Sequence, residues 1–337
     1  MPDVRMKDIA EAVGVSVVTV SNALAGRKGV SDDVRIKVEK AARELGYDLK
    51  KNVRQDQGSV IGVLTSEKYM TVGISFYWGL YQRVAYEAAK SQSVTMLEVV
   101  TFSMEEETEL PKLLQEKVIS GLIIIGWMSR PYIEKIVAAA NVPTVLVDFQ
   151  MQGLLCDAVM SNNYVGMYKM TRYLLERGHR DIAFVGNIRA NDNILDRYYG
   201  YRKALMEAGI RLRREWLLPD RDENEGLAMV ALPENMPTAF ACNSDWAAGL
   251  LYEALAKKGY RIPEDVSIVG YDNYLYGNPF AERLTTYNVD MKQMAFQAVK
   301  LLKGKIRGDE KRWGTRYVDS VAVSYTHLRA HETLRHL

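Results

Sequence analysis

The apolar positions near the start of the chain recur at helical spacing in three short runs. The first run ends at Gly14, which suits a tight turn, and Ser16 can cap the second run. The third run follows Ser31, a possible cap, and ends at Gly46, which fits the position just past a helix. The apolar stripes consist of Ile9, Ala10 and Val13, then Val17, Val20 and Leu24, then Val34, Val38, Ala41, Ala42 and Leu45. This pattern predicts a helix-turn-helix head over residues 1–47.

The outward face of the second predicted helix carries short side chains that would let it enter the DNA major groove. Val18 could contact a thymine methyl group, and Asn22 could pair with an adenine edge or a phosphate. Ser16, Ser21 and the helix N-terminus could hold phosphate oxygens. Periodicity alone would also fit an ordinary three-helix mini-domain, so these side chains are what favour DNA binding.

From residue 60 onward the pattern changes to buried apolar runs that alternate with amphipathic segments. Strands are predicted at 60–64, 94–100, 121–125, 142–147, 181–185, 238–242 and 267–269, and helices at 78–91, 105–118, 130–140, 163–177, 197–208, 246–258 and 291–303. Such alternation predicts an α/β core of two doubly wound parallel-sheet subdomains. Ligands bind such sheets at the carboxyl ends of the strands, so a cleft between the two subdomains is the expected ligand site.

The string KDIAEAVGVSVVTVSNALAG, followed by GVSDDVRIKVEKAARELGYDLKKN, resembles the headpiece of the lac repressor family of bacterial transcription regulators. The resemblance extends from residue 4 to about residue 323. It implies base contacts by Val17, Val18 and Asn22, and a core similar to periplasmic sugar-binding proteins. It also implies a homodimer on a pseudo-palindromic double-stranded operator. The expected subdomains are 60–158 plus 287–312, and 159–286 plus 313–323.

Residues 48–59 form a polar linker that would be a flexible tether by composition alone. In the lac repressor family this segment is a hinge that becomes helical on DNA and inserts an apolar side chain into the minor groove. Counting from Tyr47, that position falls on Asp56, and a carboxylate is a poor wedge beside phosphates. We therefore expect weak or absent intercalation, with Val53 and Arg54 as the remaining DNA contacts of the linker.

Candidate effector contacts lie where predicted strands end. Carboxylates and an arginine there can bind vicinal hydroxyls, and aromatic faces can cover the apolar side of a sugar ring. The family resemblance points to Phe76, Tyr77, Asp148, Arg197 and Asp272 by direct motif match, to Asn193, Arg221 and Ser244 by local counting, and to Trp127 by position. A strand-end aspartate can equally be a helix or turn cap, as for Asp245. Since the family usually has an apolar ring at Arg221, a charged or strongly polar ligand is suggested.

Composition limits the remaining classes of function. A net charge of +2 does not by itself indicate DNA binding, and two cysteines, Cys156 and Cys242, form no metal or disulfide pattern. The chain lacks a dinucleotide-binding, Walker or hydrolase motif, so we expect no enzyme activity, cofactor or metal. Without a signal peptide or membrane span, a cytoplasmic location is expected. Residues 324–337, which contain His327 and His331, resemble neither the family nor a metal site and are interpreted as non-native sequence.

The sequence therefore predicts a DNA-binding transcription regulator, a repressor, controlled by a small molecule of carbohydrate type. The alternative is a cytoplasmic small-molecule-binding protein whose unusual linker has impaired DNA binding.

Overall fold

The computed structural model describes residues 4, 6–24, 29–47, 58–70, 75–221, 229–274, 280, 283–309 and 312–323. Most of the linker, with Val53, Arg54 and Asp56, lies outside the described residues, as does the segment 324–337. No helix in the described part of the chain has the length and apolar character that crossing a bilayer would require.

The head consists of three helices packed around one small core. The helices are α1 (Met6–Val13), α2 (Val17–Leu24) and α3 (Asp32–Glu44). Ile9, Val20 and Val38 are fully buried where the three helices meet. Gly46 has a φ of +75°, and the amide of Tyr47 donates to the carbonyl of Ala42, which closes α3 as the sequence predicted. Ser31 stands at the N-cap of α3 as predicted, although its side chain forms no capping hydrogen bond.

The core alternates strands and helices along almost its whole length. Its strands are β1 (Val60–Ser66), β2 (Val94–Val100), β3 (Gly121–Ile125), β4 (Thr144–Val147), β5 (Asp157–Ser161), β6 (Ile182–Val185), β7 (Leu217–Leu218), β8 (Ala239–Cys242), β9 (Ser267–Asp272), β10 (Thr285–Asn288), β11 (Thr315–Val318) and β12 (Ala322–Val323). Its helices are α4 (Phe76–Lys90), α5 (Phe102–Glu106), α6 (Lys112–Gln115), α7 (Arg130–Ala140), α8 (Asn163–Glu176), α9 (Asp192–Glu207), α10 (Asp245–Lys257) and α11 (Met291–Arg307).

The described strands form two six-stranded sheets. Each sheet together with the helices that cover it is called a lobe, the first and the second in chain order. The first sheet has the order β11-β5-β4-β3-β1-β2, and the second β12-β10-β9-β8-β6-β7. Within the described ranges, every strand pairing is parallel except that of β12 with β10. The predicted α/β fold with two parallel-dominated sheets is confirmed. The predicted boundaries need correction, because β11 pairs with β5, so that residues 315–318 belong to the first lobe rather than the second.

The chain passes between the lobes three times. It leaves the first sheet after Ser161, returns between β10 and α11, and leaves again between Val318 and Ala322. At the second passage Asp290 caps α11, which then packs across the first sheet. These three segments are the covalent connections about which the lobes can move relative to one another.

Two helices differ from the sequence prediction. The single helix predicted over 105–118 is two short helices, because Pro111 lacks the amide hydrogen that helix continuation needs and Thr108 has a φ of +52°. Helix α9 begins at Asp192 rather than at Arg197, because the side chain of Asn191 accepts a hydrogen bond from the amide of Ile194 and caps the helix earlier.

Candidate DNA-contact helix and effector cleft

Helix α2 presents its first turn and one face to solvent. Val18 is 69% exposed and Val17 44% exposed, although both are apolar, while Val20 is fully buried. The hydroxyl of Ser16 accepts a hydrogen bond from the amide of Thr19 at 3.0 Å, which fixes the start of the helix as predicted. Ser21 and Asn22 are partly exposed on the same helix. The helix therefore offers an exposed N-terminus and an apolar tip, with a carboxamide one turn later.

Two aspartates at strand ends have unusual backbone conformations. Asp148 follows β4 with a φ of +65°, and Asp272 ends β9 with a φ of +109°. Asp148 directly follows a buried central strand of the first lobe, and Asp272 is the last residue of a central strand of the second lobe. Left-handed backbone at a non-glycine residue is strained, and such strain persists where the surroundings hold the residue in place. The sequence predicted both residues as effector contacts, and the structure puts them at the edges of the two sheets that face each other.

Arg197 lies between these carboxylates on α9 and is itself buried. Its Nε donates to Oδ1 of Asn163 at 2.8 Å, and its Nη1 donates to the carbonyl of Asn243 at 2.8 Å. Its Nη2 is 3.6 Å from Oδ1 of Asp272, and its guanidinium stacks 4.0 Å from the ring centre of Tyr271. The side chain is thus held from four directions, as a ligand-orienting arginine would be.

Asp148 receives hydrogen bonds from both lobes. Nδ2 of Asn193, on α9, lies 2.8 Å from the carbonyl oxygen of Asp148 and 3.2 Å from its Oδ2. The Tyr77 hydroxyl, on α4 of the first lobe, donates to the same Oδ2 at 3.0 Å. The other oxygen, Oδ1, is buried and has no hydrogen-bond partner among the described residues. A buried carboxylate oxygen in this position is an acceptor that a ligand hydroxyl could satisfy.

The cleft contains several carboxyl groups but one buried arginine, Arg197, among the described residues. Burial raises the pKa of Asp148 to about 6, against the opposing pull of Arg197 and the Tyr77 hydrogen bond. Burial also raises the pKa of Asp272 to about 8, although Arg197 lowers it. Asp245 has a pKa raised by burial to about 7, but its two oxygens accept from Thr286 at 2.6 Å and the amide of Tyr274 at 2.8 Å. Asp245 therefore has the structural role that the sequence left open.

Aromatic rings line the first-lobe side of the cleft. Phe76 meets Tyr77 edge-on at 5.3 Å and Tyr274 of the second lobe at 5.8 Å. Tyr69 packs 4.0 Å from Tyr77, and its hydroxyl donates to the carbonyl of Trp127 at 2.9 Å. The Trp127 backbone is thus linked through Tyr69 to the Tyr77 ring, and its predicted role as an effector contact stays a prediction.

Arg221 and Ser244 lie at the edge of the cleft network. Arg221 forms an ion pair with the buried Asp220 at 2.8 Å, and Asn243 also donates to Asp220, at 2.9 Å. Burial raises the pKa of Asp220, but these partners hold it below its ordinary value overall. Ser244 caps α10, because its hydroxyl accepts from the amide of Ala247 at 3.1 Å. That bond already occupies one acceptor site of the hydroxyl, so a ligand contact through Ser244 would need its remaining hydrogen or lone pair.

Sequence reasoning missed three side chains that hold this network together. Asn163 links Arg197 to Asn193, since it accepts from the first and donates to Oδ1 of the second at 3.0 Å. Asn243 connects Arg197 to Asp220, and Tyr69 supports Tyr77. The available signal was an asparagine directly after a buried strand at Asn243, and one two residues after a buried strand at Asn163. Among the described residues no group of three or more His, Cys, Asp or Glu side chains is arranged to hold a metal ion.

Comparison with known proteins agrees with both parts of the chain. Residues 5–48 match the model of bacterial regulatory proteins of the lacI family, and residues 171–323 match a periplasmic binding protein-like domain. The chain is 28% identical over 313 residues to the HTH-type transcriptional repressor PurR of Erwinia tasmaniensis, covering 89% of this chain and 90% of that protein. It is 28% identical over 326 residues to the ribose operon repressor of Haemophilus influenzae, covering 94% and 96%.

A solved structure shares the fold over nearly the whole length. The lac repressor dimer bound to operator and the anti-inducer ONPF superimposes with a TM-score of 0.62 at 24% identity, covering 96% of this chain and 98% of that one. The two named relatives are transcriptional repressors rather than enzymes, in agreement with the sequence prediction. The chain therefore joins a helix-turn-helix head of the lacI family of bacterial regulatory proteins, over residues 5–48, to a periplasmic binding protein-like domain over residues 171–323.

Proposed function

We propose that this chain is a transcriptional repressor that binds a pseudo-palindromic operator as a homodimer and responds to a small molecule in the cleft between its lobes. In this proposal α2 of each head enters the major groove, with Val17, Val18 and Asn22 at the bases and Ser16 and Ser21 at phosphates. A two-fold dimer matches two half-sites of a two-fold DNA sequence. Such a regulator acts in the cytoplasm, where the DNA is.

The observation that carries this proposal is the hydrogen-bonded contact between lobes around Asp148. Asn193 of the second lobe and Tyr77 of the first both donate to this one residue, whose Oδ1 is left without a partner. A ligand that bonds to Asp148, Arg197 and Asp272 would touch both lobes at once. It would therefore favour one angle between them over another.

Ligand binding and operator binding are coupled because both depend on that angle. A ligand shifts the equilibrium between lobe arrangements only as far as its affinities for the two arrangements differ. The spacing of the two heads changes with the lobes, so effector and operator alter each other's affinity by the same factor.

We propose a carbohydrate or a close derivative as the effector. The cleft offers carboxylates at Asp148 and Asp272, donors at Arg197 and Asn193, and the rings of Phe76 and Tyr77. Vicinal hydroxyls satisfy such paired donors and acceptors, and an aromatic face covers the apolar side of a pyranose or furanose ring. A relative is named as a ribose operon repressor, which supports the same class of ligand.

Selection of bound sites from a random DNA pool tests the regulator proposal, with full-length protein and a truncation from residue 58 compared directly. Enrichment of a pseudo-palindrome by the full-length protein alone supports it. Equal DNA affinity of the two proteins contradicts it and favours the alternative of a ligand-binding protein with impaired DNA binding. A thermal-shift screen tests the effector class independently, and stabilisation by purines with none by sugars would exclude a carbohydrate.

A further inference from the structure

A surface groove of about 850 Å³ lies on the side of α9 that faces away from the cleft. It is lined by Asn162, Asn163, Tyr164, Asp196, Tyr199, Arg202, Lys203, Met206 and Tyr317. A volume of this size falls within the range of small-molecule sites. None of the residues proposed above as effector contacts is among its lining residues.

The groove arises from the two faces of α9. Arg197, Tyr201 and Leu205 point into the core, whereas Tyr199, Arg202 and Met206 recur at helical spacing on the outside. Gly200 lets α8 approach closely, because a Cβ there would lie 2.1 Å from the carbonyl oxygen of Tyr164. The tight contact brings the Tyr164 and Tyr199 side chains to the walls of one groove.

The exposed lining combines rings with positive charge. Tyr199 is 44% exposed, Tyr317 52% and Met206 69%. Arg202 is exposed and has no hydrogen bond or ion pair among the described residues. Lys203 lies 3.8 Å from Glu207 and 5.7 Å from the ring centre of Tyr164. Flat apolar surface beside an unpaired guanidinium suits a ligand with a planar face and an anionic group.

The same groove adjoins the cleft network and two of the three connections between lobes. Asn163 lines the groove while its carboxamide bonds to Arg197 and Asn193 on the cleft side. Asn162, at the first connection, donates to Asp319 of the third connection at 2.8 Å, and Tyr317 lies two residues before Asp319. A molecule in the groove would therefore contact both the connections and the back of the effector site.

We propose that this groove is a second regulatory site, which takes a small organic anion with a planar apolar face and biases the angle between the lobes. Arg202 and Lys203 bind the anionic group, and Tyr164, Tyr199 and Tyr317 contact the planar face. Since the ligand borders Asn163 and the Asn162–Asp319 contact, its binding stiffens the two connections. The proposal concerns a site separate from the cleft and does not depend on which effector the cleft binds.

The test is hydrogen exchange with mass spectrometry on the full-length protein, with 8-anilinonaphthalene-1-sulfonate as the probe, an aromatic sulfonate of the required class. We expect slower exchange in peptides covering 161–166 and 192–207 as the probe is added. Arg202→Glu replaces attraction by repulsion at an exposed position, and should raise the half-maximal probe concentration for this protection at least about tenfold. Tyr199→Ala should weaken it as well, through lost ring contact.

The matched control is Lys300→Glu, which reverses a charge in another groove, of about 710 Å³, between α4 and α11. This variant should leave the protection of 161–166 and 192–207 unchanged. The proposal is overturned if the wild-type protein shows no protection in those peptides. It is also overturned if Arg202→Glu and Tyr199→Ala keep the wild-type concentration dependence, or if Lys300→Glu removes the protection equally.

Discussion

Asn193 and Asp148 join the two lobes through a single carboxamide. The amide nitrogen of Asn193 contacts both the carbonyl and the Oδ2 atom of Asp148, at 2.8 and 3.2 Å. One residue lies on a helix of the second lobe, and the other follows a central strand of the first. The orientation of the lobes therefore depends on a few hydrogen bonds, which a ligand could replace.

Asn193→Ala should lower the free energy of unfolding by about 1–2 kcal/mol, because the backbone carbonyl of Asp148 loses its donor and Nδ2 of Asn163 loses its acceptor. Urea denaturation measures the change, with Gln152→Ala as an exposed control in the first lobe. A midpoint for Asn193→Ala equal to that of the control would show that the contact contributes nothing to stability.

Asn22→Ala should weaken binding to the selected operator about tenfold or more, because a carboxamide paired with a base contributes about 1–3 kcal/mol of discrimination. Binding to a mixed-sequence duplex should change little, since that affinity comes from phosphate contacts. Fluorescence anisotropy at one fixed salt concentration gives both values. Equal losses on the two duplexes would remove Asn22 from the set of base contacts.

The stability of the core should fall as pH rises from 5 to 8. Asp272 has an ordinary pKa of 3.8 and a folded value of about 8, and Asp245 and Asp148 are raised in the same direction. At a pH between its ordinary and its folded pKa, such a carboxyl is ionised in the unfolded chain but still protonated in the folded chain. Its contribution to stability is therefore complete below pH 3.8 and is lost as the pH rises towards the folded pKa.

Asp272→Asn should therefore flatten this decline by at least about 1 kcal/mol between pH 5 and pH 8. Urea unfolding at both pH values measures it for the wild type and the variant. An identical pH dependence in the two proteins would mean that Asp272 titrates in the folded state as it does in the unfolded chain.

Gly126→Ala should disturb the aromatic wall of the cleft, because a Cβ there would lie 2.5 Å from the Tyr69 ring and 3.0 Å from the Tyr77 ring. Gly153→Ala is a matched control, since Gly153 also has a positive φ, +89°, but nothing within 4 Å of its Cβ position. Both variants carry backbone strain, and only the first carries the clash. We expect Gly126→Ala to be less stable than Gly153→Ala by about 1 kcal/mol. Equal thermal midpoints would show that the rings yield without cost.

The sequence predicted the head and the strand-end carboxylates because both depend on local rules. Helical spacing around Val20 and Val38 defines the head core. Each parallel sheet has its ligand-binding edge at the carboxyl ends of its strands, where β4 ends in the first sheet and β9 in the second. Asp148 and Asp272 could be predicted as site residues for that reason. Their assignment as effector contacts is still a prediction.

Other features depended on distant contacts that no local pattern reveals. Strand β11 is largely exposed and polar, and it joins the first sheet only because β5 pairs with it across more than 150 residues of chain. Asn163 resembles a helix-start residue in sequence, yet its side chain bridges Arg197 and Asn193. Trp127 follows a strand as a ligand contact would, and the contact of its carbonyl with Tyr69, 58 residues earlier in the chain, could not be read from the local pattern.

The three passages between lobes also constrain how the protein can be made. The first sheet includes β11, which comes in the chain after every other strand of the second sheet except β12. The second sheet is complete only with β12, the last described strand. A ribosome must therefore release almost the entire chain before either sheet has all its strands. During synthesis β5 lacks its outer neighbour, and an unpaired strand edge is prone to misassociation. Nascent chains of this protein should depend on chaperones for longer than a protein of equal length built from two consecutive domains.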